Sequence, residues 1–346
     1  MPAEVAMKRV AKLAWAALAY NLLVIAWGAY VRASGSGAGC GAHWPLCNGV
    51  VIQRDPGIHT LIELSHRITA GLALVVGLVL AIAATRAFDK GTRTRKLAWA
   101  SFGFVCAEAL IGAGLVLFEL VAHDASLKRG VSMALHLTNT FFLLAALTLT
   151  AWSARSATAP APQVAERHAR PWPVMGLFVV SVLGMIILGT SGAVNALGDT
   201  LFPPSSIADG LRQELSTGAH VFVRLRMLHP LLALTVGASL FVSSTAARIT
   251  LPTPRVKRFA SALVVAVCAQ IAAGFLNVAL LAPIWMQLVH LLLADAVWIA
   301  LVLLIQTSLE ASRSPARLRG TPGRLGDDEQ AVEHGLVEDD PVPGKG

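Results

Sequence analysis

Eight apolar stretches, each about 20 residues or longer, constrain this chain more than any other feature. They fall at about 13–31, 62–85, 97–118, 131–152, 173–194, 218–246, 259–281 and 285–308. A helix rises 1.5 Å per residue, so about 20 apolar residues cross the roughly 30 Å hydrocarbon layer of a bilayer. Backbone N–H and C=O groups find no water there, and an apolar run of this length satisfies them internally only as a helix. The expected fold is an all-α membrane protein with eight transmembrane helices. Composition agrees, with 55% hydrophobic and 14% charged residues and a mean hydropathy of +0.65. Residues 1–12 are too short and too polar for a cleavable signal peptide, so the first span is expected to stay in the mature protein.

Lys and Arg set the orientation, because cytoplasmic loops hold an excess of them. With the N-terminus inside, twenty of the 28 basic residues fall on the cytoplasmic side, in the segments around 8–12, 86–96, 155–170, 248–258 and 313–345. Arg32, Arg54, Arg67, Lys128, Arg129, Arg212, Arg224 and Arg226 fall outside. Both termini are therefore expected in the cytoplasm. The net charge of +8 follows from this topology and gives no reason to expect nucleic acid as a partner.

The segment 153–172, rich in Ala, Pro and charge, reads as a flexible cytoplasmic linker. It separates a first four-helix half, 1–152, from a second, 173–310, and the tail 311–346 is expected to be disordered. The halves resemble one another. CAEALIGAGLVL at 106–117 matches CAQIAAGFLNVA at 268–279, and GAYVRASGSGAG at 28–39 has a weaker echo in GTSGAVNALGD at 189–199. Four spans per half is an even number, so both halves insert with the same polarity, as a parallel repeat.

Ionisable side chains inside a membrane are costly and tend to be functional. His66, His136, His229 and His290 occupy matching places in the contexts ELSHRITAGL, MALHLTNTFF, RMLHPLLALT and QLVHLLLADA. Each lies near the outer end of an even-numbered span. His66 and His136 thus share a depth on two parallel helices, as do His229 and His290, and imidazoles so placed can face each other across a flat ligand. A lone intramembrane histidine is more often a packed, hydrogen-bonded residue, but an accident need not recur in both halves. Neither pair has the two further protein ligands of a closed zinc site. Haem iron, which takes two axial imidazoles, fits the pattern better. No C-x-x-C-H occurs, so covalent c-type attachment is not expected.

Glu63 lies three residues before His66, and the matching place before His229 holds Arg226. A carboxylate beside a haem edge can act as a general base or stabilise a developing cation; a first-turn acid can equally just serve the helix dipole. Arg32, Arg67 and Arg226 suit haem propionates, although these and Arg224 also read as interfacial snorkelling residues. Cys40 and Cys47 form a C-x₆-C pair in the first outside loop, suited to a disulfide or a redox-active dithiol. Cys106 and Cys268, at matching places, are expected as small core residues. His43, His59, His123 and His220 fall in outer loops or at helix ends and are expected to be solvated.

Together, GAYVRASGSGAGCGAHWPLCNG, IELSHR and HLTNTFFLL, followed by GTSGAVNALGD, MLHPLLA and LVHLLLAD, resemble the haem A synthases of cytochrome oxidase biogenesis over about residues 13–308. The resemblance implies a multi-pass protein of the bacterial inner membrane. It also implies oxidation of the C8 methyl of haem O to the formyl of haem A, by successive hydroxylations with water as oxygen source, and a haem b cofactor. Carried over, His66 and His136 would flank the substrate or product haem and His229 and His290 would ligate haem b. Glu63 would be the essential glutamate of an E-x-x-H motif. Cys40 and Cys47 match a loop pair found in some members. Such members often carry a second pair in the other half, which NALGDTLFPPSSIADGL at 195–211 lacks. Partners implied are haem O, an electron acceptor of unknown identity, a haem O synthase and oxidase assembly factors. A di-haem electron-transfer cytochrome would also use four histidines without needing Glu63. A transporter would show more charge at the midplane.

Overall fold

The computed structural model describes residues 2–51, 54–158 and 172–313. The chain builds ten α-helices in these segments: α1 Pro2–Ala33, α2 Ile58–Ala87, α3 Arg93–Leu117, α4 Leu127–Ser156, α5 Trp172–Leu201, α6 Ile207–Leu215, α7 Val221–Arg224, α8 Leu228–Thr250, α9 Pro254–Ala279 and α10 Ile284–Arg313. Eight segments are long and apolar enough to cross a membrane, with α7 and α8 together making the sixth. Outward faces carry large apolar side chains such as Leu23, Ile68, Leu72 and Val75, as expected where lipid rather than water is the neighbour. The linker expected at 153–172 and the tail expected at 311–346 lie largely outside the described residues. The described parts, 153–158 and 311–313, mostly continue α4 and α10.

Local signals set the boundaries. Ser126 accepts the Arg129 backbone N–H at 3.3 Å to start α4, and Thr253 does the same for Val256 at 3.3 Å ahead of Pro254 in α9. Helix α1 begins at Pro2, about eleven residues before the apolar run, its polar first turns supported by a Lys8–Glu4 pair at 2.5 Å. The sixth span is broken at its start. His220 caps α7 by accepting the Phe222 N–H at 3.3 Å, and a 3₁₀ turn at Leu225–Met227 follows before α8. Pro230 falls in the first turn of α8, where its missing N–H costs no hydrogen bond.

Two expectations need correction. The stretch 195–201, read as the start of a loop, is the last turns of α5, and the following residues form the extra helix α6. Glycine-rich sequence does not end a helix when its glycines seat neighbours: Gly189 faces Phe141, Gly192 faces His229 and Gly198 faces the Phe222 carbonyl. Cys268 is exposed on α9 rather than packed in the core, while Cys106 is half-buried.

Helix α1 packs on α2 and α4, and α3 lies between α2 and α4. Helix α5 packs on α8, α8 on α9 and α9 on α10. The two sets meet where α4 touches α5 and α10 and where α1 touches α10. Leu143, Leu144 and Leu147 of α4 and Leu301 and Leu304 of α10 are fully buried near this seam. There Trp298 donates its indole N–H to the Phe141 carbonyl at 2.7 Å, and the two rings stack at 4.8 Å. Arg32 of α1 crosses the seam, donating to the Ala196 carbonyl (2.8 Å), Thr200 Oγ1 (2.7 Å) and Gln287 Oε1 (2.9 Å).

Candidate haem-binding sites

The first pair, His66 on α2 and His136 on α4, lies within mutual electrostatic reach. His66 is seated against a bare point of α1: a Cβ on Gly28 would come within 2.8 Å of the ring Cε1. Its Nδ1 is buried with no hydrogen-bond partner. His136 is held from α3, where Glu108 Oε2 pairs with its Nδ1. Thr140, one turn beyond His136, donates its hydroxyl to the other Glu108 oxygen at 2.8 Å.

The second pair repeats the plan with different partners. His229 on α8 and His290 on α10 again lie within electrostatic reach. Gly192 of α5 and Gly274 of α9 each offer a bare point to one of these rings, where a Cβ would stand 3.1 Å from Cε1. Ser191 Oγ hydrogen-bonds His229 Nδ1 at 2.8 Å. The Gln270 amide meets His290 Nε2 at 3.2 Å, and His290 Nδ1 is buried without a partner.

Both pairs therefore suit a metal whose remaining ligands arrive with it. Among the described residues no group of three or more His, Cys, Asp or Glu side chains gathers as a metal cage. Two imidazoles supply only axial positions, and a porphyrin supplies the four equatorial ones. Buried imidazole nitrogens without partners and ring-facing glycines fit a flat metal macrocycle.

Glu63 is 3% exposed and fully engaged. One carboxylate oxygen accepts the Cys40 backbone N–H at 2.8 Å, and the other pairs with Arg67. Arg67 also donates to the carbonyls of His43 (2.5 Å) and Leu46 (2.8 Å), so it pins the loop to α2. Cys40 and Cys47 are joined as a disulfide within this loop. The loop sits directly on α2: Thr60 donates to the Gly39 carbonyl at 2.7 Å, and a Cβ on Gly39 would strike the His59 carbonyl. Glu63 is thus the point where the disulfide loop and the helix of His66 meet.

Arg226 pairs with Asp199 at 3.1 Å and donates to the carbonyls of Gly198 (2.7 Å) and Phe202 (2.6 Å). It closes the C-terminal end of α5, where a cation also suits the helix dipole. Arg224 is exposed. Of the remaining histidines, His43, His59 and His123 are exposed as expected. His220 is half-buried, because it caps α7 and stacks on Phe202 at 5.0 Å.

Sequence reasoning missed Glu108. The signal was present, since it is the one acid in α3 and the 106–117/268–279 match places it opposite Gln270. It also missed Asp295, a fully buried carboxyl on α10 with no hydrogen bond to either oxygen, five residues beyond His290.

A protein-family profile described as "Cytochrome oxidase assembly protein" (COX15-CtaA) matches residues 11–302. A protein of Thermus thermophilus named "Protoheme IX farnesyltransferase" is 46% identical over 331 residues, which is 95% of this chain and 52% of the relative. Proteins named "Heme A synthase" from Bacillus cereus and Bacillus anthracis are 38% identical over 112 residues, covering 32% of this chain and 36% of theirs. The chain thus spans about half the length, or less, of the curated relatives it matches. With the profile running from within the first of the eight spans to within the last, the chain belongs to the COX15-CtaA family of cytochrome oxidase assembly proteins.

Proposed function

We propose that this protein is a haem A synthase, oxidising the C8 methyl of haem O to a formyl group. Family membership and the Bacillus relatives support the role. The observation that carries the division of labour is the unequal setting of two similar histidine pairs. In the first, Glu63 lies one turn before His66 and Glu108 pairs with His136; in the second, the bonds to His229 and His290 come from neutral Ser191 and Gln270. His66 and His136 hold the substrate haem, and His229 and His290 hold haem b. The reaction takes one water per methyl group converted to formyl and releases four protons and four electrons. Haem b, when bound, would supply a one-electron acceptor.

In this reading Glu63 stabilises positive charge developing at the methyl carbon or orients the attacking water. Its bond to the Cys40 N–H and its pairing with Arg67 hold the carboxylate in one place before reaction. Arg32, Arg67 and Arg226 are assigned to haem propionates, which would exchange with the carbonyls these guanidinium groups now hold. The two halves form a parallel repeat, with both termini cytoplasmic and the disulfide loop on the oxidising face of the bacterial inner membrane. The farnesyl transfer named for the Thermus relative belongs, in this reading, to the half that this chain does not match. Haem O synthase and oxidase assembly factors remain the natural neighbours.

The test is expression with a haem O supply, followed by extraction and mass analysis of the bound haems. Haem B together with haem A or its alcohol precursor is the expected result. Haem B alone, at two per chain, would replace the synthase with an electron-transfer cytochrome.

A further inference from the structure

The repeat-related positions Glu108 and Gln270 each meet a candidate axial histidine, but one brings a full negative charge and the other none. Glu108 Oε2 engages His136 Nδ1, and Thr140 fixes the second oxygen at 2.8 Å. In the other half, the Gln270 amide lies 3.2 Å from His290 Nε2, the opposite ring nitrogen, and in either amide orientation this partner is neutral. The residue matching Thr140, counted from the two histidines, is Ala294, which has no hydroxyl to offer. His229 has the Ser191 hydroxyl, also neutral.

A carboxylate on one imidazole nitrogen does two things to the other nitrogen. It fixes the tautomer, so Nδ1 carries the proton and Nε2 presents its lone pair. It also makes the ring a stronger donor, which favours the more oxidised metal. We propose that Glu108 is a positioning residue that acts through His136, directing its Nε2 to the iron and making the first site the more electron-rich of the two. This rests on the haem-binding reading above, but it does not depend on which reaction the first site performs. Its role differs from that of Glu63, which touches no histidine and is spent on Arg67 and the loop.

The experiment is a redox titration of the purified protein with its haems bound, followed by optical absorption and resolved into two one-electron components. Glu108→Gln keeps the shape and removes the charge. It should raise the midpoint of one component so that the oxidised-to-reduced ratio at fixed potential falls about tenfold, which is about 59 mV for one electron. The other component should stay in place. Glu108→Asp should restore part of the shift. Thr140→Val, which frees the second Glu108 oxygen, should move the same component in the same direction by a smaller amount. Full haem content with both midpoints unchanged in Glu108→Gln would overturn the proposal, as would a shift fully reproduced by Glu108→Asp. Should Glu108→Gln fail to hold haem, Thr140→Val decides, and two unmoved components in that variant overturn the proposal. A wild-type protein with two shifting haems but no haem A would remove the synthase reading and leave this one standing. A wild-type protein that binds no haem would remove both.

Discussion

The two halves of this molecule place histidines in the same way and surround them differently. In the first, a disulfide loop folds down onto α2 and hands a backbone N–H to Glu63, while α3 brings Glu108 to His136. In the second, the corresponding end is the closing turns of α5 sealed by Arg226, and a serine and a glutamine attend the rings. Under the proposed function, similar placement makes two places for the same kind of ligand, and the charges bonded beside the histidines make those places unequal: a carboxylate meets His136, whereas His229 and His290 meet neutral groups.

The hardest blow to this comparison comes from the histidines. His229→Ala or His290→Ala should remove one haem per chain and leave the other, read as haem content and as loss of one component in the visible spectrum. His66→Ala or His136→Ala should remove the complementary haem. If all four variants lose the same haem, the two-site picture fails. Next in size is Glu63→Gln, which should keep both haems but cut formation of haem A at least about a hundredfold, the scale of a lost acid–base or charge-stabilising group. Product analysis should find haem O or the alcohol. Normal haem A output would move the chemistry away from Glu63.

Smaller effects sharpen the contrast. Gly28→Ala puts a Cβ 2.8 Å from the His66 ring, against 3.1 Å for Gly192→Ala or Gly274→Ala in the second half. The first should weaken its own haem site about tenfold or more, the scale expected for displaced ligand support, and the other two should do less. Equal losses would mean that α1 yields as easily as α5 and α9. Smallest is the loop. Replacing Cys40 and Cys47 by serine should lower stability by about 2 kcal/mol, as expected for a short disulfide-closed loop. Thermal unfolding would show this, with the haem held by His229 and His290 unaffected.

Much of this was legible in the sequence. Eight spans follow from apolar run length, because a bilayer allows few alternatives, whereas the pairing of the four histidines is a proposal for the variants above to test. What failed was local. Asn195–Leu201 looks like loop because Asn, Gly and Asp are loop formers in water, yet here Gly198 is the space for the Phe222 carbonyl and Arg226. The three arginines assigned to propionates could be placed by depth but not by partner, since a guanidinium can reach any of several carbonyls at a helix end. Glu108 was visible but unremarked, as a single acid in an apolar helix says nothing until its neighbour on α4 is known.

Arg32 has a consequence for the handling of such a chain. It reaches from α1 to the Ala196 carbonyl, Thr200 and Gln287, and the last lies one turn before His290. All three acceptors belong to α5 and α10, so a fragment that stops before α5 leaves the guanidinium without them. A severed molecule, expressed as separate halves, should therefore hold together at this seam, and Arg32→Ala should loosen the pairing.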